Sequence, residues 1–265
     1  MNKTEKQAHH PQLRRAGRVA VLVLAFVAAL LVLPWAGQQK AEPAATGADS
    51  AAAASAEPAA VITAPEQAEP LFVVCLDPGH GGNDGGSVFG EREESEDVLA
   101  LSKLVKAYLE QAQVQVVMTR SKDTYVSLSD RAKCANEAKA DYFVSIHRNL
   151  NPLGCGVETW TRANYSESAD RLAKAIQKRI VKVGVQQDRG VKHGTQESPT
   201  SSYYVLRKTK MPGVLIELGF IDNAKDNQLL DEHQKEYAKA IANGILRAYA
   251  LDQAAQQTET EQTKK

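Results

Sequence analysis

A short apolar run that ends abruptly in a histidine set among glycines constrains this chain more than any other feature. Residues 72–86 read F-V-V-C-L-D-P-G-H-G-G-N-D-G-G. The β-branched-rich start, Phe72 to Leu76, predicts a buried strand, and Asp77, Pro78 and the following glycines break regular structure. His80 is therefore expected on a loop just past a strand end, the edge at which open α/β sheets bind their ligands. Of the six histidines in the chain, His147 stands in the same setting, in D-Y-F-V-S-I-H-R-N over 141–149. Two imidazoles leaving neighbouring strand ends form a candidate pair of metal ligands.

The rest of the chain alternates the two periodicities. Leu101, Leu104, Val105, Tyr108 and Leu109 recur at helical spacing, so one face of a helix is predicted to be buried. Strands are predicted over 114–119, 141–146 and 156–161, with a short helix over 129–139 and a long one over 168–183. Residues 184–202 read as loop, 203–206 and 213–220 as two more strands, and 231–250 as a final helix. Strands alternating with helices predict an α/β fold, a three-layer sandwich with a mostly parallel central sheet flanked by helices, in one domain over 71–251.

The ends differ in composition. Residues 1–18 are polar and basic, 19–33 carry no polar side chain, and Pro34 and Trp35 follow. About 15 apolar residues lie between a long signal core and a short transmembrane span. No clean small-x-small cleavage site follows, so an uncleaved anchor over 19–36 is favoured over a cleaved signal, with Arg14, Arg15 and Arg18 on the cytoplasmic side. Residues 37–70, rich in Ala, Pro and Glu, read as a flexible extracytoplasmic linker, and 252–265 as a polar tail. The formal net charge is zero and the basic residues are spread along predicted helices, which excludes nucleic acid as a partner. Three cysteines without short spacing argue against a disulfide framework or a zinc knuckle; Cys75 and Cys134 are expected to pack in the core.

A third metal ligand must be a carboxylate or another histidine. The acidic cluster ahead of the first helix offers Glu91, Glu93, Glu94 and Glu96, any of which could equally complement the helix dipole. Glu217 is a stronger signal, because L-I-E-L-G-F places a carboxylate inside an apolar strand, where an unpaired charge is costly. It needs a partner, either an arginine such as Arg131 or Arg207, or a nearby metal-bound water for which it would serve as general base. Arg148, Asn149 and Glu158, close to the second histidine, are candidate substrate contacts, although strand-end charges and a turn-forming asparagine explain them as well. The chain has no H-E-x-x-H, no G-x-S-x-G and no phosphate-binding glycine loop.

Taken together, D-P-G-H-G-G, E-S-E-D-V-L-A-L, S-L-S-D-R-A, A-N-E-A-K-A-D-Y-F-V-S-I-H-R-N, G-V-E-T-W, Y-Y-V-L-R and M-P-G-V-L-I-E-L-G-F-I-D-N resemble, in order and spacing, the zinc-dependent N-acetylmuramoyl-L-alanine amidases of the amidase-3 type. The resemblance covers nearly all of 71–251. It implies a Zn2+ site formed by His80, a glutamate at the start of the first helix and His147, with Glu217 as catalytic base. Counting back from V-V-M-T-R places that glutamate at Glu94, with Glu96 as the alternative; Asp97 and Val98 depart from the usual pattern. The implied activity is a peptidoglycan hydrolase that cuts between the lactyl group of N-acetylmuramic acid and L-alanine with zinc-activated water, in a protein tethered to the membrane and facing the wall. A non-catalytic peptidoglycan-binding module and a zinc peptidase of the stem peptide are the alternatives.

Overall fold

The computed structural model describes residues 70–263. The expected basic segment, anchor and linker lie outside them, save residue 70, and among the described residues no helix is long and apolar enough to cross a membrane. In chain order the elements are β1 Val73–Pro78, β2 Val88–Phe89, β3 Arg92–Glu93, α1 Glu94–Gln111, β4 Gln115–Met118, α2 Leu128–Glu137, β5 Tyr142–Asn149, β6 Val157–Thr161, α3 Glu167–Val183, β7 Asp188–His193, α4 Tyr204–Lys208, β8 Gly213–Phe220 and α5 Ala224–Thr263.

Six strands form one mixed sheet in the order β4-β1-β5-β8-β6-β7. The pairings from β4 through β8 are parallel, as is β6 with β7, and the single antiparallel pairing joins β8 to β6. Side chains alternate between the two faces of a strand, and two cores result. Val74, Leu76, Val144, Ile146, Val214 and Ile216 pack with α1, α3 and α5 in the larger cluster. Cys75, Phe143 and Leu215 face the other way and pack with Ala135 of α2 and Val205 and Leu206 of α4. Cys134 packs against this smaller core, as expected, and Cys75, Cys134 and Cys155 are all free.

The structure corrects the expected elements in four places. Residues 203–206 do not form a strand: Tyr204–Lys208 is a helical turn that buries Val205 and Leu206 beside α2, because so short an apolar run satisfies either periodicity and its packing decides. The expected loop over 184–202 contains edge strand β7, whose charged sequence D-R-G-V-K-H hides its period. The last helix starts at Ala224, with Asn223 Oδ1 accepting from the backbone N–H of Lys225 and Asp226, and is interrupted at His233 (φ −124°, ψ 24°). It then runs through the expected polar tail to Thr263. Asp252, the first residue of that tail, is buried and accepts hydrogen bonds from Tyr142 Oη, Ser168 Oγ and Arg171 Nε.

Candidate active site

The alternation that divides the core also assembles the site. Asp77 follows Cys75 by two residues, Ser145 and His147 follow Phe143 by two and four, and Glu217 follows Leu215 by two. All four side chains therefore emerge on the α2–α4 face, at the carboxyl ends of three parallel strands. Register places Asp77 beside Ser145 and His147 beside Glu217. His147 lies within β5, two residues before its end, not beyond it as expected. Asp77, His147 and Glu217, together with His80, Asp84, Arg131, Tyr125 and Tyr203, line a cavity of about 300 Å³; Ser145 lies beneath them, fully buried.

Glu94 joins them from the first residue of α1. The short hairpin of β2 and β3 precedes it, and Glu94 N–H donates to Ser87 O at 2.9 Å while Ser87 N–H donates to Glu94 Oε2 at 2.8 Å. The buried carboxylate thereby meets both histidines: Oε1 lies 2.8 Å from His147 Nδ1 and 3.4 Å from His80 Nε2. Glu96, one-half turn on, is exposed. Donor atoms of His80, Glu94 and His147 all lie within 4.8 Å of one another. Donors sharing one tetrahedral divalent ion at about 2.0–2.1 Å would stand about 3.3 Å apart, so two imidazole nitrogens and one carboxylate oxygen in this arrangement fit such an ion.

The other ring nitrogen of each histidine is held. His80 Nδ1 lies 3.0 Å from both oxygens of Asp84, which leaves Nε2 turned toward Glu94. Ser145 Oγ donates to Asp77 Oδ2 at 2.8 Å, so it accepts from His147 Nε2–H at 3.1 Å. A metal ion on Nδ1 would leave Nε2–H to Ser145 and hold the ring in this orientation; without an ion the Glu94 carboxylate accepts at Nδ1. Asp77 in turn is held by Arg131 Nη1 at 2.8 Å and Thr119 Oγ1 at 2.7 Å.

Burial opposes charge on His80, but its contacts with Glu94 and Asp84 outweigh that and raise its pKa. Burial likewise pushes the Glu94 carboxyl up, and the two imidazoles overcome it, holding Glu94 far below the usual carboxylate range.

The sequence assigns no role to Asp84, Ser145 or Arg120, and it offers Arg131 only as a candidate partner of Glu217. Asp84, Ser145, Arg120 and Arg131 look like loop, strand and surface residues, yet both arginines are buried. Arg131 donates to Pro78 O and His80 O, and Arg120 to Pro78 O, Gly79 O and Ser95 O, so the two guanidiniums hold the D-P-G-H loop by its carbonyls. The loop needs that support because His80 sits in the left-handed region at φ 58°, a costly conformation for a residue with a side chain. Gly79 is required by close approach: a Cβ there would lie 2.3 Å from His147 Cε1.

Glu217 pairs with none of the expected arginines, since Arg131 is committed to Asp77. Its Oε2 is buried without a hydrogen-bond partner among the described residues. Burial first, and then the negative charges of Glu94 and Glu158, push its pKa well above the ordinary value, with Arg148 acting weakly against them. The group beside the histidines is thus a carboxyl with unused hydrogen-bonding capacity and a high affinity for a proton.

The three expected substrate contacts are engaged elsewhere. Arg148, one residue past His147, points by alternation to the opposite face, where it is 2 % exposed and donates to Asp97 Oδ2 at 2.5 Å and Asn227 Oδ1 at 2.7 Å. Glu158 is 1 % exposed and takes Arg189 Nε and Lys192 Nζ of β7, both at 2.6 Å, tying the edge strand to β6. Asn149 is buried and donates to Glu158 Oε1 at 3.2 Å. None of the three lines the cavity.

A mixed α/β sheet that gathers two imidazoles, a carboxylate and a second, unpaired carboxyl at the carboxyl edge of its strands has the donor set and placement of a hydrolase site that could hold a metal ion. Comparison with known proteins places it within that class. Residues 74–247 match the Amidase_3 family, N-acetylmuramoyl-L-alanine amidase. The uncharacterized protein YqiI of Bacillus subtilis is 39% identical over 186 residues, which cover 68% of this chain and 87% of YqiI. The N-acetylmuramoyl-L-alanine amidase LytC of the same organism is 36% identical over 66% of this chain, which spans 35% of LytC. The crystal structure of an N-acetylmuramoyl-L-alanine amidase from Clostridium difficile 630 superposes with a TM-score of 0.60 at 38% identity, over 66% of this chain and 95% of that one. The chain belongs to the N-acetylmuramoyl-L-alanine amidase family.

Proposed function

We propose that this protein hydrolyses the amide between the lactyl carbonyl of N-acetylmuramic acid and L-alanine in peptidoglycan, with zinc held by His80, Glu94 and His147 and with Glu217 as general base. The observation that carries the reading is the buried carboxyl of Glu217, left without a partner beside three convergent donors. A zinc ion bound there supplies Lewis acidity toward the amide carbonyl and lowers the pKa of water. Glu217 accepts the proton of the water that attacks the carbonyl carbon and delivers one to the alanine nitrogen as the C–N bond breaks, leaving a lactyl carboxylate and a free α-amine. Asp84 and the Ser145–Asp77 chain keep each imidazole in one orientation through the cycle. Tyr125, Leu128, Tyr203 and Tyr204 wall the cavity and supply the apolar surface against which a glycopeptide can lie while bulk water is kept out.

The work is done outside the cytoplasm, on the wall, with residues 19–36 as membrane anchor and 37–70 as tether. A flexible chain of that length spans on the order of 30 Å.

The deciding experiment combines zinc content with product analysis of digested peptidoglycan, on wild type, Glu94→Ala, Glu96→Ala and Glu217→Ala. Zinc is expected in stoichiometric amount in wild type, Glu96→Ala and Glu217→Ala and to be lost in Glu94→Ala. New amino groups are expected on L-alanine, and neither Glu94→Ala nor Glu217→Ala should release them. Amino groups appearing on D-residues would replace the amidase reading with a stem-peptide peptidase. Zinc without any product would replace it with a wall-binding module.

A further inference from the structure

A second concavity, which shares no residue with the catalytic one, runs between the outer faces of α3 and α5 and measures about 790 Å³. The two helices are antiparallel there: Arg171 reaches Asp252 at one end, and Tyr237 Oη donates to Gly184 O at the other. Their backbones come close, since a Cβ on Gly244 would lie 2.7 Å from Ile176 Cα. Two stripes at four-residue spacing flank this seam, Lys174, Lys178 and Lys182 on α3 and Lys239, Asn243 and Arg247 on α5, with Arg179 beside the first. Glu236 is the one acidic residue along the walls. Lys174 is paired with Asp170 and Arg171 with Glu167 and Asp252, whereas Lys178, Arg179, Lys182, Lys239 and Arg247 have no ion pair among the described residues.

In a chain of zero formal net charge, five unneutralised cations along one trough are a concentrated positive field, and like charges four residues apart on a helix oppose its stability. We propose that this trough binds a linear polymer of singly charged phosphate units, reading its backbone charge and no bases. Charge complementarity calls for a polyanion. Concavity along the helix axes, from Arg171 to Lys182 about 16 Å at 1.5 Å per residue, calls for a chain and not a flat sheet of headgroups. None of the large exposed apolar side chains of the domain, such as Leu71, Phe89 or Leu153, lies on its rim to enter a bilayer. No aromatic ring lines it, so the stacking platform that single-stranded nucleic acids require is missing.

The test uses the full chain and fluorescently labelled inorganic polyphosphate, with binding followed by anisotropy across a salt series. Five contacts at about 0.7 per cation predict a slope near −3.5 in log affinity against log salt, or about a hundredfold loss between roughly 50 and 200 mM. Neutralising three cations, in Lys178→Gln/Arg179→Gln/Lys182→Gln, should reduce the slope to about −1.4. Lys239→Gln/Arg247→Gln, on the opposite wall, should reduce it to about −2.1 and guards against a folding defect in the first variant. The matched control Lys133→Gln/Lys208→Gln/Lys210→Gln removes as much charge on the α2–α4 side and should leave it unchanged. Zinc content and wall hydrolysis should be unaffected in all three variants. Equal losses in the control, unchanged binding in both trough variants, or a loss confined to anionic phosphatidylglycerol vesicles would overturn the proposal.

Discussion

Glu217 is a carboxyl that the fold would be more stable without. It sits in the apolar strand β8, 8 % exposed, with Oε2 unpartnered, and with Glu94 and Glu158 adding their negative fields to the effect of burial. A buried polar group without a partner costs about 1–3 kcal/mol. Methionine has nearly the same length and volume and suits an apolar slot, so Glu217→Met should recover about 2 kcal/mol. For a domain of this size that corresponds to a melting temperature higher by about 6 °C.

The gain also has a pH signature. Because the folded-state pKa is raised, the native protein keeps a proton that the unfolded chain releases above the ordinary carboxyl value of about 4.3, and wild type loses stability from there upward toward the folded pKa. The difference between Glu217→Met and wild type should therefore be largest near neutrality and should narrow below about pH 4. Thermal melts followed by circular dichroism on chelator-stripped full-length protein measure this, and wall turnover by the zinc-loaded variant should fall by about 10²–10⁴ with the base gone. A lower melting temperature in Glu217→Met would mean that the carboxyl has a stabilising partner, and the reasoning from its unsatisfied burial would fail.

Ser145→Ala removes the acceptor that orients His147 and should weaken zinc binding by about 10–100-fold, as judged by competition with a chelator; it also leaves Asp77 Oδ2 without its donor, at a cost of about 1–3 kcal/mol to the metal-free fold. In Gly79→Ala the new methyl meets the His147 ring; a cost of about 1–3 kcal/mol and displaced zinc are expected, and unchanged zinc affinity would argue that the loop can retreat. Ending the chain after Leu251 deletes Asp252 with its bonds to Tyr142, Ser168 and Arg171 and should cost about 2 kcal/mol in urea unfolding relative to a chain ending at Thr263. Burial raises the pKa of Asp252, but its hydrogen bonds from Ser168, Tyr142 and Arg171 lower it overall. The stabilisation is thus present above the unfolded value of about 3.9 and is lost as pH falls through the depressed one, so Asp252→Asn should be weaker than wild type at pH 7 and converge with it in strong acid.

Much of the site could be read before the fold was known, because each element of it violates a local rule. A histidine among glycines directly after an apolar run, and a carboxylate inside another such run, are expensive unless something uses them. Long elements were legible for a related reason: α1 and α3 are long enough for their helical period to repeat, and β5 and β8 are long enough for apolar character to dominate. Failures fell where the local signal is ambiguous. Four apolar residues such as Y-Y-V-L fit a strand or a helical turn, and the polar, helix-forming run after Leu251 resembles a tail until Asp252 finds its partners.

Sequence alone thus determined the α/β alternation of the long elements, the two histidines and the out-of-place carboxyl, since these follow from patterning and from the cost of isolated charge. Only the tertiary structure decided that Glu94 and not Glu96 meets both imidazoles, which ring nitrogens face it, and that Arg148 and Glu158 are buried in pairs away from the cavity. Those outcomes depend on register and on the alternation of faces across strands far apart in the chain: a shift of one residue sends a side chain to the opposite layer, and no local pattern reports that shift.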